Sequence, residues 1–115
     1  MPEPLILVVL LEVRRESATA FSQYEAAAAV IMARHHGRIE RAIELESQPQ
    51  DATFRHVHLV HFDDAVAFDS YRQDPDLLSL APLRQVAILN TQIWRGRDLA
   101  DFPGNAKAPL GVAAK

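Results

Sequence analysis

Apolar and polar residues follow the periods of regular secondary structure along most of the chain. Leu5 to Val13 is almost continuously apolar and rich in branched residues, which is typical of a strand covered on both faces. Ala18 to His36 follows a candidate N-cap, Ser17, contains no Pro or Gly, and ends before Gly37, a candidate C-cap. The apolar spacing of three and four predicts a helix with one inner face, formed by Phe21, Tyr24, Ala28 and Ile31.

The next two segments predict a hairpin. Arg38 to Glu46 alternates between apolar and polar residues, so it predicts a strand. On strict alternation, one face of this strand carries Ile39, Ile43 and Leu45. Residues 47–53 are polar with a central proline and predict a turn. Phe54 to Phe62 then predicts the second strand of the pair.

A broken helix and a last strand complete the pattern. Asp63 or Asp64 is the candidate N-cap of a helix whose inner face would carry Ala65, Phe68 and Tyr71. Asp74 followed by Pro75 predicts that the helix stops and restarts, and Pro82 predicts a second interruption. Residues 90–95 predict a short strand. Residues 97–115 lack periodicity, so we expect one domain over residues 1–99 and an irregular C-terminal arm over residues 100–115.

The predicted order, β-α-β-β-α-β, is that of the α+β ferredoxin-like fold. Two helices cover only one face of a four-stranded sheet, but the first strand is apolar on both sides. Leu5, Leu7, Val9 and Leu11 would face one way, and Ile6, Val8 and Leu10 the other. An apolar sheet face left in water usually marks an interface, so we expect a homodimer that packs sheet against sheet.

Composition removes several classes of function. The formal net charge is −3 and the 12 Lys and Arg residues are scattered, so no basic stripe predicts nucleic-acid binding. The chain has no Cys, which excludes disulfides, thiolate metal ligands and a thiol nucleophile. The run LILVVLL is too short to span a membrane and follows Glu3 rather than basic residues, so we expect a cytoplasmic protein without a membrane partner. No phosphate-binding glycine motif or nucleophile elbow is present, and no cofactor is predicted.

Two longer stretches resemble a known family: FSQYEAAAAVIMARHHGRIERAIELE and HLVHFDDAVAFDSYRQDPDLLSLAPLR. They are similar to the helix-Gly-strand unit and the strand-turn-broken-helix-Arg unit of the dimeric α/β-barrel superfamily. Within it, they resemble the small bacterial group called domain of unknown function 1330. The resemblance runs from about Leu5 to Gly96. The chain departs from the group's pattern at Asp63, where Pro is common, and at His36, where Gly is common. Relatives in the superfamily include cofactor-free monooxygenases, isomerases, haem-degrading enzymes and ligand-sensing domains, so the resemblance implies the fold rather than one activity.

Three histidines lie in the predicted strand FRHVHLVHF, and alternation puts His56 and His58 on one side and His61 on the other. The resemblance implies that Phe62, which shares a side with the first two, faces the helices. His56 and His58 would then face a ligand cavity. Three roles remain open: a metal site, acid–base catalysis, or structural pairing with neighbours such as Glu40, Glu44 or Arg55. No nearby motif supplies a third metal ligand, and the pattern favours pairing over proton transfer, and proton transfer over a metal.

Other candidates come from the helices and the last strand. Tyr24 and Tyr71 lie on predicted inner helix faces, where a buried Tyr is usually core but can act as a catalyst. Arg84 matches an Arg in the family pattern and could bind a carboxylate, or could form a surface salt bridge with Asp76 or a neighbouring residue. Trp94 could form a pocket wall, a core contact or a dimer contact, and His35 with His36 would complement the helix dipole.

The sequence therefore predicts a homodimer with a small-molecule cavity between sheet and helices. In one hypothesis the site performs cofactor-free proton transfer or oxygenation on a small aromatic or carboxylated molecule. Its catalytic residues would be His58, His56 and Tyr71, and its ligand-binding residues Tyr24, Arg84, Phe62 and Trp94. In the alternative, the protein is a non-catalytic ligand-binding or stress-related dimerisation module.

Overall fold

The structure is a computed structural model that describes residues 3–99 and 102–103. Apart from residues 102 and 103, the predicted C-terminal arm lies outside the described residues. Among the helices of the described part of the chain, none is long and apolar enough to cross a membrane.

The chain forms an antiparallel sheet of four strands with its helices on one face, an α+β ferredoxin-like fold. The strands lie in the order β2-β3-β1-β4, so the first and third strands occupy the centre. The predicted β-α-β-β-α-β order is confirmed, and the second helix is broken into three pieces. The elements are β1 (Leu5–Arg14), a 3-10 turn (Arg15–Ser17), α1 (Ala18–Arg34), β2 (Gly37–Glu44), β3 (Thr53–Phe62), α2 (Ala65–Arg72), α3 (Pro75–Leu78), α4 (Ala81–Ala87) and β4 (Ile88–Gly96).

The sheet has a covered face and an open face. Leu7 and Val60 are cross-strand partners on the covered face, where Phe62 packs between the rings of Phe68 and Tyr71 at centroid distances of 5.3 and 5.5 Å. Burial of this cluster, and of a second one that includes Val13 and Phe21, stabilises the fold. The open face carries half-buried apolar side chains of the two central strands: Ile6, Val8, Leu10, Val57 and Leu59.

A β-bulge in β2 corrects one sequence-based expectation. The register with β3 shifts between Ile39 and Arg41, so Ile39 pairs with Val60 on the covered face, whereas Ile43 pairs with Val57 on the open face. Strict alternation would have kept Ile39 and Ile43 on the same face. One extra residue in a bulged strand reverses the faces of all residues beyond it.

The end of α1 also differs from the expectation. His36, not Gly37, adopts the left-handed backbone conformation, with φ of 60°. Gly37 is buried at the start of β2, where a Cβ atom would overlap the Phe62 ring, lying 2.6 Å from its Cζ, and would lie 2.7 Å from Met32 Cγ. Glycine is therefore required here by close packing between helix and strand, rather than by a positive φ angle.

The three predicted N-cap positions are confirmed, and two of the three side chains make a capping hydrogen bond. Asp64 accepts a hydrogen bond from the Ala67 N–H at 2.8 Å, and Asp74 accepts one from the Asp76 N–H at 2.8 Å. Ser17, the last residue of the preceding 3-10 turn, occupies the N-cap of α1, but its side chain makes no capping hydrogen bond. The imidazole of His35 contacts the Asp74 carboxylate at 2.7 Å, so it links α1 to the break in the second helix.

Candidate functional site

A cavity of about 290 Å³ lies between the covered face of the sheet and the helices. Its walls are mainly apolar, and they include Leu7, Val9, Ala28, Met32, Val60 and Phe62. Its polar side chains are Tyr24, Glu25, His58, Tyr71, Arg72, Arg84 and Thr91. A mostly apolar cavity with a few converging polar groups is the usual form of a small-molecule site.

Helical and strand periodicity bring the central polar groups together. Glu25 lies four residues after Phe21 and three before Ala28, so it shares their face of α1. Alternation along β3 places His56 and His58 on the covered face of the sheet, and only His58 lines the cavity. The helix and the strand therefore present a carboxyl group and an imidazole to each other across the cavity wall.

The His58 imidazole and the Glu25 carboxyl form the core of the site. His58 Nδ1 lies 3.6 Å from Glu25 Oε1, slightly beyond hydrogen-bonding distance, and His58 is only 5% exposed. Burial raises the pKa of the Glu25 carboxyl to about 7, against the opposing effect of the Arg84 charge. Burial, and then the charge of His56, lower the pKa of the His58 imidazole. Both shifts favour the uncharged forms and leave a carboxyl group that titrates near neutral pH.

His56 connects this pair with the edge of the sheet. Its Nδ1 lies 3.2 Å from His58 Nε2, and its Nε2 lies 3.3 Å from Glu44 Oε1 on the neighbouring strand. The ring packs edge-on against Phe21 at a centroid distance of 5.1 Å and lies 5.5 Å from Phe54. The pairing of a strand histidine with Glu44, one of the predicted alternatives, is therefore present in the structure.

Arg84 enters the cavity without a carboxylate partner. Its guanidinium donates a hydrogen bond to the Thr91 hydroxyl and lies 6.0 Å from the centre of the Tyr24 ring. The predicted surface pair with Asp76 is wrong, because Asp76 accepts from Arg34 at 2.7 Å. Within residues 3–99, Arg84 forms no ion pair. A cation in an apolar cavity that makes no direct ion pair is suited to binding an anionic group.

The two tyrosines and Phe62 also line the cavity. Burial raises the pKa of both phenols, so both stay protonated and can donate hydrogen bonds. Phe62 has no solvent-exposed surface and forms part of the apolar wall.

Trp94 is not part of this cavity, which corrects its predicted place in a pocket wall. It pairs with Val8 on the open face and is 52% exposed, whereas its neighbour Ile93 lines the cavity. Alternation along β4 separates the two side chains.

His61 lies on the open face, where its Nδ1 is 3.2 Å from an Arg38 guanidinium nitrogen. In the described part of the chain, no three His, Cys, Asp or Glu side chains are grouped so that they could hold a metal ion.

Glu25 is the site residue that the sequence-based prediction missed. The inner face of α1 was predicted from its apolar and aromatic members alone, and Glu25 was not considered. The spacing from Phe21 and Ala28 places position 25 on the buried face of the helix. A carboxylate at such a position, near a strand with two inward histidines, is the signal that could have identified it.

Comparisons with known proteins find structures of similar fold. No protein-family model matches the chain, and a search of curated proteins returns no match. A protein of unknown function from Rhodopseudomonas palustris is similar in structure, with 21% identity, a TM-score of 0.71, and coverage of 86% of this chain and 85% of that one. SnoaB, a cofactor-independent oxygenase from Streptomyces nogalater, has 19% identity, a TM-score of 0.58, and coverage of 87% and 99%.

An uncharacterised NIPSNAP-like domain protein from Burkholderia xenovorans is also similar, with 16% identity, a TM-score of 0.63, and coverage of 90% and 91%. All three likenesses cover most of both chains. At these identities they establish the ferredoxin-like fold and leave the activity to be argued from the cavity itself.

Proposed function

We propose that the protein is a cofactor-free enzyme that removes a proton from a small, largely apolar molecule held in the cavity. The observation that carries this proposal is the placement of the Glu25 carboxyl beside His58 on the wall of an apolar cavity. A general base works best when its pKa lies near the working pH, and burial raises the pKa of Glu25 to about 7. Removal of a proton from carbon or from a phenol is the reaction class that such a group serves.

In this proposal Glu25 accepts the substrate proton and His58 receives it in turn. The negative charge that develops on the substrate lies near Arg84, whose guanidinium has no carboxylate partner within residues 3–99. Tyr24 and Tyr71 supply further hydrogen-bond donors and limit the shape of the ligand. A small aromatic or carboxylated molecule with an acidic C–H or O–H group fits this combination of apolar walls and one cation.

Oxygenation is a consistent extension of the same chemistry. An electron-rich carbanion can react directly with O₂, and conversion of a CH₂ group to C=O then consumes one O₂ and releases one water. The structural likeness to SnoaB, described as a cofactor-independent oxygenase, supports this extension. The proton-transfer step comes first in either case and is the step that the cavity residues can perform.

The proposal includes a homodimer formed by the open faces of two sheets. Val8 lies at the centre of this face, between its cross-strand partners Leu59 and Trp94. Trp94 and Ile43 extend the apolar surface toward opposite edges of the sheet, and each is at least 40% exposed. A surface of this kind is usually covered by a partner, and a second copy offers the same surface by two-fold symmetry.

A non-catalytic ligand-binding module is the second candidate. His56 packs against two phenylalanine rings and pairs with Glu44, which is the arrangement of a histidine that stabilises a sheet. Arg84 and the apolar walls would hold a ligand equally well without turnover. The two candidates differ in whether a bound molecule exchanges a proton.

Hydrogen–deuterium exchange on small carbon acids separates them. We expect the protein to accelerate deuterium uptake by members of a panel of aryl ketones and aryl acetic acids in D₂O, followed by NMR. Glu25→Gln removes the base and should slow this exchange by about 100-fold or more. His58→Gln should also slow it, and the surface variant Glu16→Gln, which loses a carboxylate far from the cavity, should match the wild type.

Two results would count against the enzyme. Panel members that raise the melting temperature without exchanging deuterium would support the binding module. Exchange that survives in Glu25→Gln at the wild-type rate would show that another group is the base.

A further inference from the structure

Four side chains lie in a continuous row from the cavity to the solvent at the outer edge of the sheet. Glu25 in the cavity is followed by His58, then His56, then Glu44 on the edge strand β2. The successive distances are 3.6, 3.2 and 3.3 Å. The Glu44 side chain is 57% exposed, whereas those of His56 and His58 are 20% and 6% exposed. The row therefore begins in a buried site and ends in water.

We propose that His58, His56 and Glu44 form a proton-transfer chain that exchanges the proton of Glu25 with solvent. The inference rests on the proposed function in one respect: the proposed reaction leaves Glu25 with a proton that must be released after each turnover. A base inside an apolar cavity that is filled by product has little water around it. A side-chain route through the sheet would take the proton from Glu25 and restore its carboxylate while product still fills the cavity.

The hydrogen-bonding capacities of the groups give the row a direction. A carboxylate only accepts, so His56 Nε2 must carry the hydrogen that points to Glu44. In the form in which His56 is neutral, its Nδ1 is then unprotonated and accepts a hydrogen bond from His58 Nε2. Neutral His58 in turn has an unprotonated Nδ1, which faces Glu25. When Glu25 is protonated, the tautomers that satisfy the two hydrogen bonds of His56 and the contact with Glu25 are therefore aligned in the same sense.

This alignment allows a proton to leave by a balanced series of shifts. The Glu25 carboxyl gives its proton to His58 Nδ1, His58 gives the hydrogen on Nε2 to His56 Nδ1, and His56 gives the hydrogen on Nε2 to Glu44. One proton enters the row and one reaches the surface, while both rings stay neutral and end in the opposite tautomer. Before a second proton can leave, both rings must return to the first tautomer by ring rotation or by exchange of their hydrogens with water. The gap of 3.6 Å at Glu25 must close by a small side-chain movement, or be bridged by one water, for the first shift.

The exchange rate of the His58 ring hydrogen tests the chain without any substrate. In protein labelled with ¹⁵N-histidine, saturation transfer from water measures how fast the Nε2 hydrogen exchanges, and His58→Gln assigns the signal. His56→Phe keeps an aromatic ring against Phe21 and removes the relay. We expect this variant to slow the exchange by about tenfold or more, because the hydrogen then leaves only when the structure opens locally.

Two exposed carboxylates provide a test variant and its matched control: Glu44 at the end of the edge strand β2, and Glu46 in the loop that follows. In Glu44→Gln the amide oxygen still accepts from His56 but cannot take up a proton, so we expect a smaller slowing in the same direction. Glu46→Gln removes an exposed carboxylate two residues away and should leave the rate unchanged. An exchange rate in His56→Phe equal to that of the wild type would overturn the chain and place the proton route at the cavity mouth.

A kinetic readout distinguishes failure of the chain from failure of the proposed reaction. With a substrate from the deuterium-exchange panel, His56→Phe should keep the first proton removal but slow later turnovers, and added imidazole buffer should restore them. Normal repeated turnover in His56→Phe without added buffer would overturn the chain and leave the proposed reaction intact. Lack of any substrate exchange would end the proposed reaction, and the ring-hydrogen measurement would still decide the chain.

Discussion

Glu25 is a carboxyl group whose surroundings oppose its negative charge. Its side chain is 24% exposed, and burial raises its pKa from 4.5 to about 7. A raised carboxyl pKa means that the folded state holds the proton more tightly than the unfolded state. Between these two pH values the unfolded chain loses the proton first, so folding stability falls as the pH rises through this window.

The pH dependence of stability therefore provides a prediction at this residue. Raising the pH from 4.5 to 8 should cost the wild type about 3 kcal/mol of unfolding free energy relative to Glu25→Gln, which carries no titrating group at this position. Urea denaturation of both proteins at several pH values measures the difference. Contributions of other groups, including the opposite trend from the lowered pKa of His58 below pH 6.5, largely cancel between the two proteins. A stability difference that is the same at all pH values would contradict the pKa assigned to Glu25.

Some residues of the site could be predicted from periodicity, and others could not. The alternation of FRHVHLVHF places His56 and His58 on the same side, where the structure has them. Trp94 was assigned to a pocket because a short strand gives no local signal of which face meets the helices. Arg84 was predicted at the cavity, but the lack of a carboxylate partner depends on Asp76 pairing with Arg34, a contact between distant parts of the chain.

The absence of a Cβ atom at Gly37 allows close packing at the junction between α1 and β2. Gly37 lies where any Cβ atom would overlap Phe62 and Met32, both buried. Gly37→Ala should therefore destabilise the protein by about 1–3 kcal/mol, as expected for overpacking of a core. Gly96→Ala is the matched control, because its Cβ atom would come no closer than 4.0 Å to the nearest atom, the Ile6 carbonyl oxygen. Urea denaturation of both variants gives the comparison, and equal effects would contradict the packing explanation.

Local signals predicted most of the elements but not the shift within β2. Asp74, Pro75 and Pro82 mark the breaks of the second helix, because proline and aspartate favour the first turn. The bulge after Ile39 has no such signal, since Glu40 and Arg41 are both polar and suit either face. It is set by the pairing with β3, which a reading of one strand at a time cannot include.

At the scale of the molecule, the apolar open face of the sheet is the basis for predicting a homodimer. Val8→Glu places a carboxylate at the centre of this face and, by symmetry, a second one near it in the partner, so we expect it to convert a dimer to a monomer. Light scattering after size-exclusion chromatography measures the mass. Val66→Glu, at a helix position that is 72% exposed, should leave the dimer intact. A wild-type protein that runs as a monomer would refute the predicted homodimer.

The order of elements and the doubly apolar first strand predicted the fold, which the structure and its likeness to solved structures confirm. The resemblance to the domain of unknown function 1330 group stays a prediction, because no family model matches the chain. Neither the substrate nor the reaction could be predicted, since cavities of one fold differ by a few side chains whose partners come from distant segments.

The bulge in β2 also determines on which face of the sheet each residue after Ile39 lies. Because one extra residue is inserted after Ile39, Glu44 meets His56 on the covered face and Ile43 joins the open face. Deletion of a single codon at Glu40 would reverse this assignment without altering any other residue. Glu44 would then lie on the open face of the sheet and Ile43 on the covered face. One in-frame deletion would thus change two features at once: the residues on the open sheet face, and the solvent end of the row formed by Glu25, His58, His56 and Glu44. Related proteins could diverge in both features through this single step.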